Sequence, residues 1–306
     1  MIPIKVTNSH RLAKRHADIV FAYLKGYRYG RAFKIINNWI TLQFGNSYNL
    51  KKILMADPGH LDNLVKVYRR RKKPIPEEII SFKNIYKYFR TTATTPFLEA
   101  DGSRYDGFVF AKNLDLTVCP YCNRNYIFNL PTIGKATCEL DHFYNKSDFP
   151  FLALSFYNLI PSCKTCNHIK SNGSKSYYNL HKKDLTESEL VKFSVKITGA
   201  SYLDDEADLR LDYDVHKSYQ DTFDDLKFKE IYDRHKDQVQ DLIKKQHLYS
   251  SDYLEQLIKD YQGKLFRNKE ELISILLSGN VQPDKLCLKP FSKLTKDIWE
   301  QISELR

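Results

Sequence analysis

Apolar residues recur at three- and four-residue spacing over Arg11–Leu24, Tyr29–Phe44 and Leu61–Arg71, which predicts three amphipathic helices early in the chain. Pro74 and Pro76 interrupt this pattern. Glu77 and Glu78 then head a further apolar pattern reaching Phe89, as expected for a new helix with acids in its first turn. From about 113 to 182 the periodicity disappears, and the chain becomes irregular and rich in Cys and Asn. Beyond it, Val191–Ile197 and Leu209–Tyr213 alternate with period two, predicting two strands able to pair. Helical spacing returns over Lys229–Tyr249, Ser251–Gln262, Lys269–Leu277 and Ser292–Ile302. The expected class is α+β and mostly helical. Its regions are a helical 1–112, an irregular 113–182, and a strand pair plus helices over 183–306.

Composition narrows the class. The 306 residues suffice for two or three domains at roughly 100–200 residues each. With 42% hydrophobic and 28% charged residues the chain can bury a core, and 11 Gly and 11 Pro exclude a collagen-like or low-complexity protein. No run is long and apolar enough to predict a membrane span. Met1–Lys5 lacks a signal-peptide core, and the apolar Ala17–Leu24 carries Asp18 and lies between Lys14-Arg15 and Lys25, so a cytoplasmic location is expected. The formal charge of +11, from 48 basic and 37 acidic residues, favours a polyanionic partner without identifying one.

The six cysteines are too sparse for a disulfide scaffold, and their spacing is informative. Cys119-Pro120-Tyr121-Cys122 and Cys163-Lys164-Thr165-Cys166 are two C-x-x-C knuckles about 40 residues apart. Two intervening residues let a tight turn present both sulfurs to one ion, and two such knuckles make the four ligands of a tetrahedral structural Zn²⁺. Cys138 and Cys287 stand alone and read as small buried hydrophobes.

Between and just after the knuckles lie the residues with chemical potential. Asp141-His142, at the end of an expected strand, places a hard oxygen ligand beside an imidazole, which titrates near neutral pH. Asn167 follows a knuckle cysteine at the start of an expected short helix. A carboxylate and an amide oxygen suit Mg²⁺. Lys170, about one turn after Cys166, is open to two roles: a phosphate contact or a solvated helix end.

Asp141-His142, then Asn158-Leu159, then Cys-x-x-Cys-Asn-x-x-Lys resembles the HNH endonuclease motif, over about Cys119 to Asn172. The resemblance implies a zinc-stapled ββα-metal core flanked by helical N- and C-terminal regions. It makes His142 the general base and Asp141 and Asn167 the ligands of a catalytic Mg²⁺ or Mn²⁺. Asn158 becomes the residue that braces the loop and orients His142, and the pattern is an H-N-N variant. Leu140-Asp141-His142-Phe143-Tyr144-x-Lys146-Ser147, Leu154–Cys163 and Lys289–Ile298 are further similar to the HNH subunit of the Septu (PtuB-like) anti-phage systems. Asn145 stands where a Pro is expected in those relatives. They act with an SMC/ABC-type ATPase (PtuA-like), in some cases beside a retron. No residue-level likeness extends into the helical region before 112.

Elsewhere, Arg69-Arg70-Arg71-Lys72-Lys73 reads either as a solvated helix end or as backbone-phosphate grip, and with a nuclease core it is the first candidate for nucleic-acid binding. Lys25–Arg31 interleaves Tyr with Lys and Arg, and reads first as core Tyr with surface cations. Asp204-Asp205-Glu206 with Asp208 reads as a solvated acidic loop. The expected function is hydrolysis of nucleic-acid phosphodiesters, DNA favoured. An RNA-cutting toxin of the same fold and a non-catalytic zinc module that binds nucleic acid remain as alternatives.

Overall fold

The computed structural model describes residues 1–26, 30–90, 95–170 and 177–304. The chain is mostly helical with small antiparallel sheets. It divides into two compact units. One contains Ile4–Leu116 and Ile127–Asn167, the other Met1–Pro3, Thr117–Tyr126 and His168–Arg306.

The first of these units holds α1 (Ser9–Lys25), α2 (Gly30–Phe44), α3 (Leu50–Leu54), α4 (Pro58–Arg71), α5 (Glu77–Ile80), α6 (Phe82–Arg90) and α7 (Gly107–Leu114). The expected early helices are thus present, α2 from Gly30; Tyr27, Arg28 and Tyr29 of the aromatic-basic segment lie outside the described residues. The caps explain the boundaries of α4. The Asp57 carboxylate accepts from His60 N–H, Pro58 fills the first turn, and Lys72 ends the helix in the left-handed region at φ 43°. The helix expected over 77–89 is broken at Ser81 into α5 and α6, its hydroxyl turning back to donate to Glu78 O. α3 and α7 had not been expected: α3 is too short to show a period, and α7 starts only where Asp106 caps Val109 N–H.

α6 buries Phe82, Ile85, Tyr86 and Phe89 along one stripe. Burial of each large apolar side chain stabilises the fold by about 1.5–3 kcal/mol. At the centre, fully buried His16 of α1 has aromatic ring contacts with Phe89, Tyr105, Phe110 and Phe156. Its Nε2–H donates to Leu154 O at 2.7 Å, which leaves Nδ1 to accept from the Tyr105 hydroxyl at 3.0 Å. Burial holds its pKa down at about 4, so it is neutral in the fold.

The region read as irregular contains β1 (Asn129–Leu130), β2 (Lys135–Ala136), β3 (Glu139–His142) and β4 (Leu159–Ser162), followed by α8 (Lys164–Lys170). β1 pairs with β2 and β3 with β4, both antiparallel. β3 is the strand expected to end at Asp141-His142, whereas β1 and β2, of two residues each, are too short to show a period.

The other unit contains α9 (Glu187–Leu190), β5 (Val191–Ile197), β6 (Leu209–Val215), α10 (Gln220–Asp225), α11 (Phe228–Tyr232), α12 (Lys236–Leu248), α13 (Ser251–Tyr261), α14 (Lys269–Leu276) and α15 (Ser292–Glu304). The two expected strands pair antiparallel, Val191 opposite Val215 and Ile197 opposite Leu209. Val191, Phe193 and Val195 are buried on one face, as the alternation requires. Asp297 of α15 accepts from Phe193 N–H at 2.9 Å and pairs with buried Lys293. The helix expected over Lys229–Tyr249 is two helices, α11 and α12, with a tighter turn at Asp233–His235 between them. No helix among the described residues is long and apolar enough to cross a membrane.

Candidate functional site

Cys119, Cys122, Cys163 and Cys166 are all buried, and their sulfur atoms lie within 4.8 Å of one another. Around tetrahedral Zn²⁺, with Zn–S near 2.3 Å, sulfurs stand about 3.8 Å apart, so the four thiols can hold a metal ion such as zinc. Among the described residues this is the single cluster of three or more Cys, His, Asp or Glu side chains close enough to do so. No disulfide joins any of the six cysteines. Cys138 and Cys287, expected to be buried, are half-buried, and burial pushes the Cys138 thiol up to about 11.

Local backbone geometry builds both knuckles. In the first, Asn123 N–H donates to Cys119 O, Cys119 N–H donates to Asn125 O, and Asn123 takes a positive φ of 47°. The Asn123 side chain then donates to Leu286 O at 2.8 Å and accepts from Lys293 N–H at 2.9 Å. Its carbonyl accepts from Phe291 N–H. The near-terminal segment 286–293 is therefore bonded to the first knuckle, which the sequence presents as two unrelated stretches. Tyr232 adds a hydroxyl bond to Cys122 O. In the second knuckle, Cys166 N–H points at the Cys163 sulfur, 3.5 Å away, at the start of α8.

β3, β4 and α8 follow one another as strand, strand, helix. Asp141 lies opposite Ile160 and His142 opposite Leu159 in the pair. Both are largely buried, 5% and 8% exposed. Glu139 and Asp141 are two residues apart on the strand and so share a face, while Leu140 and His142 take the other. Tyr86 of α6 covers that second face. Its hydroxyl donates to Leu140 O at 3.0 Å, and its ring meets His142 edge-on at 4.4 Å.

His142 Nε2 lies 3.0 Å from Ala153 O. A carbonyl only accepts, so Nε2 carries the proton and Nδ1 is the basic nitrogen of the neutral ring. Asn158 is completely buried. Its amide accepts from Tyr144 N–H at 2.7 Å and donates to Tyr144 O at 3.1 Å and Leu152 O at 2.9 Å. Its backbone carbonyl accepts from Phe143 N–H at 2.8 Å. One side chain thus ties both ends of the loop between His142 and Ala153, the segment whose carbonyl holds the imidazole.

Asn167 Nδ2 donates to Glu139 Oε2 at 2.5 Å. Glu139 thereby links the helix residue to the strand face that carries Asp141. It was not singled out as a candidate, although its place two residues before Asp141 was the available signal. His168 is exposed.

The basic candidates fare differently. Lys170 is 3% exposed, with its ammonium 5.2 Å from the centre of the Tyr177 ring, so it is no solvated helix end. The segment after it, including Asn172, lies outside the described residues. Arg69, Arg70 and Arg71 are exposed in the last turn of α4. Arg69 lies over the Phe149 ring at 5.6 Å, and Arg71 donates to Gln43 O at 2.9 Å. In the acidic loop, Asp205 caps Ala207 N–H and Asp208 accepts from Ser201 N–H.

Comparison with known proteins returns no match, whether with family models, curated proteins or solved structures.

Proposed function

We propose that the chain is a metal-dependent endonuclease of the HNH type that hydrolyses phosphodiester bonds of DNA. The observation that carries this reading is the bonding of His142, Asn158 and Ala153. An imidazole at a strand end has its Nε2 proton anchored by a backbone carbonyl, and a buried Asn fixes the loop that supplies it. Such an arrangement presents Nδ1 as a base of fixed tautomer, which general-base chemistry requires. The ββα order of β3, β4 and α8 and the four-cysteine cluster support the same reading.

The residues fit a hard divalent cation. Asp141 and Glu139 are carboxylates on one strand face, and the Asn167 amide bonds to one of them. Asp141 and Asn167, with Glu139 as the added candidate, would hold Mg²⁺ or Mn²⁺. Bound there, the ion would stabilise negative charge on the phosphate and on the leaving oxygen. His142 accepts a proton from water at Nδ1, and the hydroxide so formed attacks phosphorus. Asn158 keeps the ring oriented while this happens. Zinc at the four cysteines would do no chemistry and would stabilise the local fold.

From the resemblance we also assign the chain to a cytoplasmic anti-phage system with an SMC/ABC-type ATPase partner, in some settings beside a retron. Co-purification with that ATPase tests this part. The enzymatic part is tested by incubating the purified chain with plasmid DNA and with total RNA, with Mg²⁺ or Mn²⁺ and with EDTA. Metal-dependent cutting of plasmid is expected, together with loss of zinc and of soluble protein on Cys163→Ala. Cutting of RNA alone would replace DNA as the substrate, and cutting of neither would remove the assignment.

A further inference from the structure

α6 has a second face. Lys83, Lys87 and Arg90 stand at i, i+4 and i+7, one stripe on the helix, half-buried at Lys83 and exposed at the other two. Seven residues of helix rise about 10.5 Å. Tyr86 sits beside this stripe and reaches the site, its hydroxyl on Leu140 O and its ring against His142. On the same ring, 5.1 Å from its centre, lies the ammonium of Lys146, from the loop after β3.

These cations crowd one another. Partial burial, then Arg90, then Lys83 and Lys87 hold the Lys146 ammonium below the ordinary lysine range, with Asp141 opposing them. Arg90 reaches Glu139 only at 3.5 Å, the outer limit of a hydrogen bond. Of the four cations, Arg90 meets Glu139 and Lys146 feels Asp141, and those two carboxylates are the ones assigned to the divalent cation. A surface of one sign beside a reactive centre attracts a polyanion. The run Arg69–Arg71 belongs to a different helix, α4, where Arg69 lies over the Phe149 ring and Arg71 donates to Gln43 O.

Resting on the reading of His142 as the hydrolytic base, we propose that Lys83, Lys87, Arg90 and Lys146 form the surface that grips the phosphate backbone of duplex DNA beside it. A stripe of about 10.5 Å covers about three phosphates of one strand, at 3.4 Å of duplex axis for each. Lys146 lies on the Tyr86 ring, which itself meets the His142 imidazole.

The test is binding without cleavage. In a His142→Ala background, affinity for a short DNA duplex is measured by fluorescence anisotropy across a salt series. K83Q/K87Q/R90Q/K146Q is expected to flatten the plot of log affinity against log salt by about 3, at about 0.9 for each lost phosphate contact. R69Q/R70Q/R71Q is expected to change it by less than about 1. The charge-keeping K83R/K87R/K146R should keep the full slope. An unchanged slope in the glutamine variant overturns the proposal, as does an equal loss in the charge-keeping variant, which would mean that shape and not charge was damaged. A flattened slope with duplex RNA but none with DNA overturns the assignment to DNA. Thermal melting by circular dichroism confirms that each variant is folded. No cleavage is read in this experiment, so failure of the nuclease reading appears separately, in the wild-type digestion.

Discussion

Two histidines in the same unit are held in nearly the same way and sit in opposite surroundings. His16 Nε2 donates to Leu154 O and His142 Nε2 lies against Ala153 O, the carbonyls of two consecutive residues. His16 has no exposed surface, four aromatic neighbours, and a tyrosine hydroxyl on Nδ1. His142 ends a strand, follows Asp141, and meets the Tyr86 ring edge-on. One carbonyl bond of this kind therefore marks neither a structural nor a reactive histidine. What separates them is the second nitrogen's environment and the charge nearby: a neutral cage for His16, and carboxylates and lysines around the strand that His142 ends.

The largest expected effect breaks this comparison if it fails. His142→Ala should lower cleavage by about 10²–10⁴-fold, the usual contribution of a general base, and leave zinc content close to wild type, with a stability cost of about 1–3 kcal/mol from the unpaired Ala153 O. His16→Ala should do the reverse. It opens a core cavity and leaves Leu154 O and the Tyr105 hydroxyl unpaired, costing about 3–5 kcal/mol in urea unfolding, with cleavage per folded molecule unchanged. Equal effects of both substitutions on stability, with cleavage kept in His142→Ala, would mean that both residues are core.

Acid should act on His16 next. Its pKa is about 4 in the fold against about 6.5 in the unfolded chain, so between these values the unfolded state binds more protons. The stability it contributes is complete above about pH 6.5 and is lost as pH falls towards 4, by about 3 kcal/mol. Unfolding midpoints at pH 7 and pH 4.5 for wild type and His16→Gln isolate this contribution. The same pH dependence in both proteins would show that His16 is not the group responsible.

The sequence exposed the two regions unequally, for a physical reason. The candidate site was legible because the residues that define it are local in sequence. Asp141-His142, Asn158, and the two C-x-x-C knuckles have fixed spacings, and the four thiols do come together. Glu139 was passed over because a lone acid gains meaning only once β3 shows that it shares a face with Asp141. The α6 stripe was passed over because its cations are dispersed among apolar residues, whereas Arg69–Lys73 is contiguous and draws attention. His16 was invisible. Its cage is assembled from Phe89, Tyr105, Phe110 and Phe156, far apart in the chain, and periodicity reports only that it lies on a helix. The two-residue strands β1 and β2 escaped because two residues cannot display a period, and α5–α6 were fused because Ser81 breaks the helix without Gly or Pro.

The two flanking tyrosines give the finest test of the contrast. Tyr105→Phe removes the donor to His16 Nδ1 and leaves a buried acceptor unpaired, an expected cost of about 1–3 kcal/mol. Tyr86→Phe removes one hydroxyl bond to Leu140 O, at the edge of a two-stranded sheet, an expected cost of about 1 kcal/mol. The phenylalanine ring keeps the edge-on contact with His142 and the face under Lys146. Cleavage by Tyr86→Phe should therefore stay within about tenfold of wild type, whereas Tyr86→Ala, which removes the ring, should release both His142 and Lys146 and lower cleavage further. Should Tyr86→Phe cost as much cleavage as Tyr86→Ala, the hydroxyl and not the ring would be what positions the site. Tyr86 would then stand to His142 as Tyr105 stands to His16, by hydrogen bonding, and the two surroundings would differ less than their burial and charge imply.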